Sequence, residues 1–300
     1  MINICILVCC HKESKVFRNL YISPIQLGAE LHKEKNLFPL KDNMGKHISS
    51  KNKDYCELTA QYWAWKNIKP SVDYIGFFHY RRYLSFRKTF LFSKFINLLN
   101  GFYQYIYGWD ARTVYKKINN SNADIILPKK FNIPFLYKGK KKEANLYIHL
   151  KDLHGEFIAN KLAETIKKEY PEYESALNTA FASSDAYFKN MFIMKKYHFN
   201  KYMNFLFTTL FSLETELKKP EYKDYNSNRI YGFLAERLLN VFIINEQILN
   251  PNLRILELDL VNEFEFKFGK DFLKKQYGKL KSRLNMDYIK LIINKPFKRK

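Results

Sequence analysis

Two almost unbroken apolar runs limit what this chain can fold into. INICILVCC at residues 2–10 and DYIGFF from Asp73 read as buried strands, because polar residues are scarce and β-branched or aromatic types are frequent. HKES ends the first run. Between the two, NKDYCELTAQYWAWKNIKP carries Leu58, Tyr62 and Trp65 at helical spacing, with Pro70 just past the end. This predicts one helix from Asn52 feeding the strand at Asp73. ADIILPKKF, closed by Pro128, is a further strand, and LAETIKKEYPEYESALNTAF is helical on either side of Pro171. NMFIMKK is a short strand, followed by long helices in HFNKYMNFLFTTLFSLETEL and RIYGFLAERLLNVFIIN. Strands separated by helices from end to end predict an α/β fold with a mixed, mainly parallel central sheet flanked by helices.

A chain of 300 residues can bury a large core without disulfides or metal. Its four cysteines, at positions 5, 9, 10 and 56, have neither the spacing of a zinc site nor the density of a secreted scaffold, which predicts reduced thiols and a cytoplasmic location. The first strand is too short to span a bilayer and has no basic leader before it. Lys and Arg number 51 against 29 Asp and Glu, a formal charge of +22 that favours an anionic partner: nucleic acid, an anionic membrane face or a phosphorylated substrate. The same lysine- and tyrosine-rich usage would also follow from an AT-rich coding genome. Nucleic acid is disfavoured, since the arginines form no stripe and no recognised binding module is legible.

The strand at Asp73 runs directly into His79, Tyr80, Arg81 and Arg82, where a core strand would continue apolar or meet a Gly or Asn turn. Ligands of open α/β sheets bind beyond the carboxyl ends of the strands, so this cluster is placed like a site. A guanidinium fork at Arg81 or Arg82 matches the oxygens of a diphosphate, and His79 could support the same anion. The plain alternative makes one arginine a surface residue and the other half of an ion pair. In the loop KDNMGKHISSKN, Asp42 and Asn43 suit ribose hydroxyls, while Ser49, Ser50 and Asn52 suit helix caps. The spacing of a P-loop is absent, as are HExxH, GxSxG and GxGxxG.

The blocks KNKDYCELTAQYWAWKN, DYIGFFHYRRYL, ADIILPKK, NMFIMKK and RIYGFLAERLLNVFI, in this order and spacing over residues 2 to 245, resemble the DUF4422 family of bacterial capsular and exopolysaccharide glycosyltransferases. The resemblance implies a GT-A-like domain, here residues 1–265, that moves a sugar from a nucleotide-sugar donor, UDP-hexose above all, to a capsular, exopolysaccharide or lipopolysaccharide glycan. The acceptor would be an oligosaccharide or lipid-linked. His79, Tyr80, Arg81 and Arg82 match the family's HYRR block, Tyr55, Glu57 and Trp65 its YCELTAxYWAWKN block, and Gly232, Glu236 and Arg237 its GFLAERL block. Asn190 and Met191 match the NM pair; with Arg237 they are the expected sugar or acceptor contacts. The family loop resembles D-N-T-G-D-N-I-S. This chain has Met44, Lys46 and His47 in place of its Thr, Asp and Asn, keeping Asp42, Gly45 and Ser49. Ordinary GT-A enzymes hold a metal with an Asp-x-Asp at a strand end. Here the strand end is FFHYRRYL, so fixed cations are expected to replace the metal, no cofactor is required, and Asp42 joins the HYRR cluster in donor binding. Asp185 and Glu236 are the candidate general bases.

From about Lys267 the composition turns basic, with Leu280, Leu284, Tyr288 and Leu291 at helical intervals. Residues 266–300 are thus expected to form an amphipathic tail that either packs on the core or binds the anionic inner face of the membrane. A non-catalytic glycan- or lipid-binding assembly factor is the alternative to an enzyme.

Overall fold

The computed structural model describes residues 2–14, 16–88, 103–137, 140, 143–217 and 229–262. The expected basic tail lies outside them. In the central sheet β1 (Ile4–Cys10) lies between β2 (Ile22–Gln26), at one edge, and β3 (Tyr74–His79), all parallel. Beyond β3 comes β8 (Phe192–Lys195), antiparallel to both its neighbours, then β5 (Ile125–Pro128) and β9 (Ile255–Leu258), parallel to each other. Five of these six strands therefore point one way, as the sequence predicts. Two short strands, β4 (Arg82–Leu84) and β10 (Leu260–Asn262), extend the sheet past the end of β3.

Alternation along β1 and β3 explains their unbroken apolar sequence, since both faces are covered. Leu7 and Cys9 of β1, with Ile75 and Phe77 of β3, enter one core together with α2 (Leu58–Asn67), α5 (Glu156–Glu169), α6 (Glu174–Ala182), α7 (Lys196–Glu216) and α8 (Ile230–Leu249). Ile4, Ile6, Val8, Tyr74 and Phe78 enter the other, against Trp109 and against Val114 and Ile118 of α3 (Ala111–Ser121). Gly76 lets β3 and β8 close up: a Cβ there would lie 2.6 Å from Ile193 Cγ1 and 2.9 Å from the Phe192 carbonyl oxygen.

The helix predicted from Asn52 is two helices. α1 (Asn52–Tyr55) stops at Cys56, whose φ of 51° is left-handed, and α2 restarts at Leu58. The Asn52 side chain stabilises the break by donating to the Cys56 carbonyl at 2.7 Å and to Thr59 Oγ1 at 3.0 Å. Neither Ser49, Ser50 nor Asn52 caps a helix end here. Ser49 Oγ instead donates to Asp42 Oδ1 at 2.6 Å and accepts from the Glu30 amide at 3.0 Å.

Asp42 is 0% exposed and cannot meet a ribose, which corrects its expected place in donor binding. Its carboxylate is filled from within: the Gly28 amide donates at 2.8 Å, the Ala29 amide at 3.0 Å, Ser49 Oγ at 2.6 Å and Thr59 Oγ1 at 2.6 Å. The loop, the chain after β2 and the start of α2 meet at this one carboxylate. Removing it strands the two backbone amides, because a rotating hydroxyl such as Thr59 can turn to the Cys56 carbonyl, 3.1 Å away. At about 1–3 kcal/mol per buried unpaired donor, Asp42→Ala should lose about 3 kcal/mol or more in urea unfolding, and Asp42→Asn, which keeps one acceptor oxygen, distinctly less.

Candidate active site

The parallel register of β1 and β3 pairs Cys9 with His79, so both strands deliver their following residues to one edge of the sheet. β1 leads to His11 and β3 to a two-residue turn, Tyr80–Arg81, before β4 begins at Arg82. The rings of His11 and Tyr80 meet edge to face at 5.1 Å, and the Arg81 guanidinium lies over the Tyr80 ring at 4.7 Å while donating to its hydroxyl. Asn262 of β10 pairs with Arg82. A cleft of about 500 Å³ opens at this edge, and His79, Tyr80, Arg81 and Arg82 all line it. The polar cluster that breaks the apolar pattern of β3 is therefore a hairpin turn facing a cavity.

The cleft also holds residues for which the sequence reading assigned no part in the chemistry: His11, His32, Asn52, Lys53, Glu57 and Arg229. His11 was legible by the rule that exposed the HYRR turn, since it too directly follows a core strand. Arg229, just ahead of α8, donates from Nε to Cys56 Sγ at 3.2 Å. Burial pushes the His11 pKa down, and Lys12 and Arg81 push it further the same way. Burial pushes the Cys56 thiol up to about 11, helped by Glu57 and opposed by Arg229, so it is no nucleophile at neutral pH. Among the described residues lining the cleft, Glu57 is the one carboxylate, and no group of three His, Cys, Asp or Glu gathers as metal ligands anywhere in them.

The remaining expected site residues stand elsewhere. Asp185 begins a two-stranded ribbon, β6 (Phe131–Asn132) with β7 (Asp185–Ala186); it is exposed, accepts from Asn132 Nδ2 at 3.2 Å and does not line the cleft. Met191 is fully buried in the second core and cannot touch a sugar. Asn190 is 1% exposed, and its Nδ2 donates to Glu57 Oε1 and to the Gly232 carbonyl, each at 2.8 Å. It orients a cleft residue instead of contacting ligand. Glu236 pairs with neither Arg82 nor Arg229: it accepts from the Lys189 amide at 2.7 Å and from Arg237 at 3.2 Å. Both side chains are engaged within the fold, and neither Glu236 nor Arg237 lines the cleft. Arg237 is fully buried, and its NH2 donates at 2.8 Å to His149 Nδ1. An arginine only donates, so this histidine nitrogen carries no proton; burial and the adjacent guanidinium push the His149 pKa down to about 4.

The family model described as a domain of unknown function, DUF4422, matches residues 5–247. Among solved structures, the apo structure of the WbbM bifunctional glycosyltransferase superposes with a TM-score of 0.75 at 33% sequence identity, over 87% of this chain and 45% of that one. The chain thus spans less than half the length of that relative. No curated protein matches. With the family match covering most of the sequence, the chain belongs to the DUF4422 family.

Proposed function

We propose that this chain is a glycosyltransferase whose cleft takes a nucleotide-sugar donor by its diphosphate. The observation that carries the reading is the placement of His79, Arg81 and Arg82, joined by Lys53 and Arg229, in one cleft at the carboxyl edge of a mostly parallel sheet. Such a site neutralises a departing nucleoside diphosphate, the charge that develops when a glycosyl bond to phosphate breaks. The shared fold with a glycosyltransferase of 33% identity supports the same class of reaction. The scaffold in this reading is GT-A-like, the donor a UDP-hexose, and the acceptor an oligosaccharide or lipid-linked glycan of a capsule, exopolysaccharide or lipopolysaccharide. Cations take the place of a divalent metal, and no nucleic acid is bound.

The proposed setting is the cytoplasmic face of the membrane, reached through the basic residues from 266 to 300. Among the described residues no helix is long and apolar enough to cross a bilayer.

Two measurements test this reading. Arg81→Ala or Arg82→Ala should weaken UDP, or whichever nucleoside diphosphate binds, by roughly 1.5–3 kcal/mol in calorimetric titration, the scale of a charge-assisted hydrogen bond, and EDTA should leave wild-type binding intact. Normal binding by both variants would make the arginines structural, and binding of glycan without any nucleotide would favour a non-catalytic assembly factor. In co-sedimentation with anionic vesicles, the full chain should bind at low salt and a chain ending near Glu265 should not, since each Lys or Arg near such a surface contributes about 1 kcal/mol.

A further inference from the structure

We infer that Glu57 is the general base of this cleft and that Asn190 positions it. The inference rests on the glycosyltransferase reading and goes beyond it by assigning the proton. When the acceptor hydroxyl oxygen bonds to the anomeric carbon, the bond from that carbon to the diphosphate oxygen breaks and its electron pair leaves on the nucleoside diphosphate. The hydroxyl proton needs a base within hydrogen-bond reach. Glu57 is the one carboxylate among the described lining residues. It is 9% exposed, its Oε1 is held by Asn190 Nδ2 at 2.8 Å, and no described residue donates to its Oε2. One oxygen is thus fixed and the other is left to take the proton.

The backbone is bent to achieve this. Glu57 reaches the cleft because the chain turns at Cys56 with a φ of 51°, and Asn190 meets it from a left-handed φ of 49° directly after Lys189 at 81°. Left-handed residues other than glycine persist only where surrounding contacts hold them, and such strain gathers at functional sites. Here the contacts are the two Asn190 Nδ2 bonds and the Gln61 Nε2 bond to the Asn190 carbonyl at 3.1 Å.

The imidazoles of the cleft are poorer bases. His79 Nε2 lies 2.6 Å from the Lys189 carbonyl oxygen, which only accepts, so that nitrogen carries its proton and only Nδ1 could take another, which would make the ring a cation in a cleft that Arg81 and Arg82 also line. His11 would become a cation beside Lys12, Arg81 and Arg229, whose charges already push its pKa down after burial does. His32 stands half-exposed beside Glu34, 3.7 Å away. The other titratable or charged groups around Glu57 are Cys56 on its own turn, Cys9 of β1, Tyr202 of α7 and, lining the same cleft, Lys53, Tyr80, Arg81, Arg82 and Arg229. Burial pushes Cys9, Cys56 and Tyr202 upward, so they stay neutral through the acid range in which a carboxylate titrates.

The test uses the full chain, a panel of UDP, GDP, CDP and dTDP for binding, and release of nucleoside diphosphate from the matching nucleotide-sugars for turnover. Glu57→Gln should bind the nucleotide within about twofold of wild type, lose about 10²–10⁴-fold in turnover, and lose the acid limb of the pH–rate profile. Asn190→Gly keeps a residue suited to the left-handed backbone but removes the donor to Glu57. It should lower kcat with little change in KM and move the acid limb to higher pH, because a carboxylate without its donor is protonated more readily; a purely structural role for Asn190 would leave that limb in place. The sugar should be transferred with inversion. Near-normal turnover in Glu57→Gln, an unmoved acid limb in Asn190→Gly, or retention of anomeric configuration through a sugar linked to Glu57 would each overturn the base assignment while nucleotide binding stands. Should Glu57→Gln fail to fold, the Asn190→Gly profile decides. Failure of the wild type to bind any of the four nucleotides would overturn the glycosyltransferase reading and this inference with it.

Discussion

The side-chain amide of Asn190 is the contact on which the cleft depends. Its Nδ2 donates both to Glu57, between α1 and α2, and to the Gly232 carbonyl in the first turn of α8, while its own carbonyl accepts from Gln61 on α2. Asn190 lies just before β8, which runs antiparallel to both its neighbours, β3 and β5. That reversal brings the start of β8, and not its end, to the edge where β1 and β3 finish. A parallel strand in its place would carry residues 189 and 190 to the far edge, and the amide could not reach Glu57. The antiparallel setting of β8 is thus a condition for the site as much as a feature of topology.

The electrostatics of the cleft follow from where the fold uses its carboxylates. Glu236 holds the Lys189 amide and faces Arg237, whose other side meets a neutral His149. Asp42 is saturated by four donors. These acids are engaged in the scaffold, and among the described residues of the cleft wall one carboxylate, Glu57, stands with the cationic and imidazole groups. Low-dielectric walls strengthen the field of such a cluster, so an anion is drawn to the edge where β1 and β3 end. Part of the overall charge of +22 would arise from lysine-rich usage alone, but the grouping of Arg81, Arg82 and Arg229 at this edge is a property of the fold.

What could be read from the sequence follows from how local each signal is. The strands at Ile4, Tyr74, Ile125 and Phe192 announce themselves because burial on both faces demands unbroken apolar runs. The HYRR turn was legible because it interrupts such a run, and strand ends are where open sheets bind ligands. β2, β9 and β10 were not: β2 and β9 each have a polar residue inside the strand, Ser23 and Glu257, and β10 has only three residues. Glu57 was hidden by a helical period that reads straight through Cys56, because neither Gly nor Pro marks the break. Asp42 misled for the opposite reason: an acid in a polar loop looks available, and only the tertiary structure reveals four internal donors. Asn190 and Glu236 were singled out as matched positions, yet which partner each would hold depends on contacts more than forty residues away.

The Lys189–Asn190 turn shows why these distant contacts converge. Two successive non-glycine residues at positive φ carry a conformational cost on the order of 1–3 kcal/mol each, which isolated chain would relieve by turning the other way. Here the Lys189 amide is fixed by Glu236 and its carbonyl by His79, while Asn190 is fixed by Gly232, Glu57 and Gln61. These contacts, from β3, α2, α8 and the link before α2, hold the turn from several sides. Since His79 also lines the cleft, the bond that locks its Nε2 to Lys189 sets the imidazole's tautomer as well as the turn. One strained pair of residues thereby couples the orientation of the carboxylate to that of the histidine beside Arg81 and Arg82, and a shift of α8 would disturb both together.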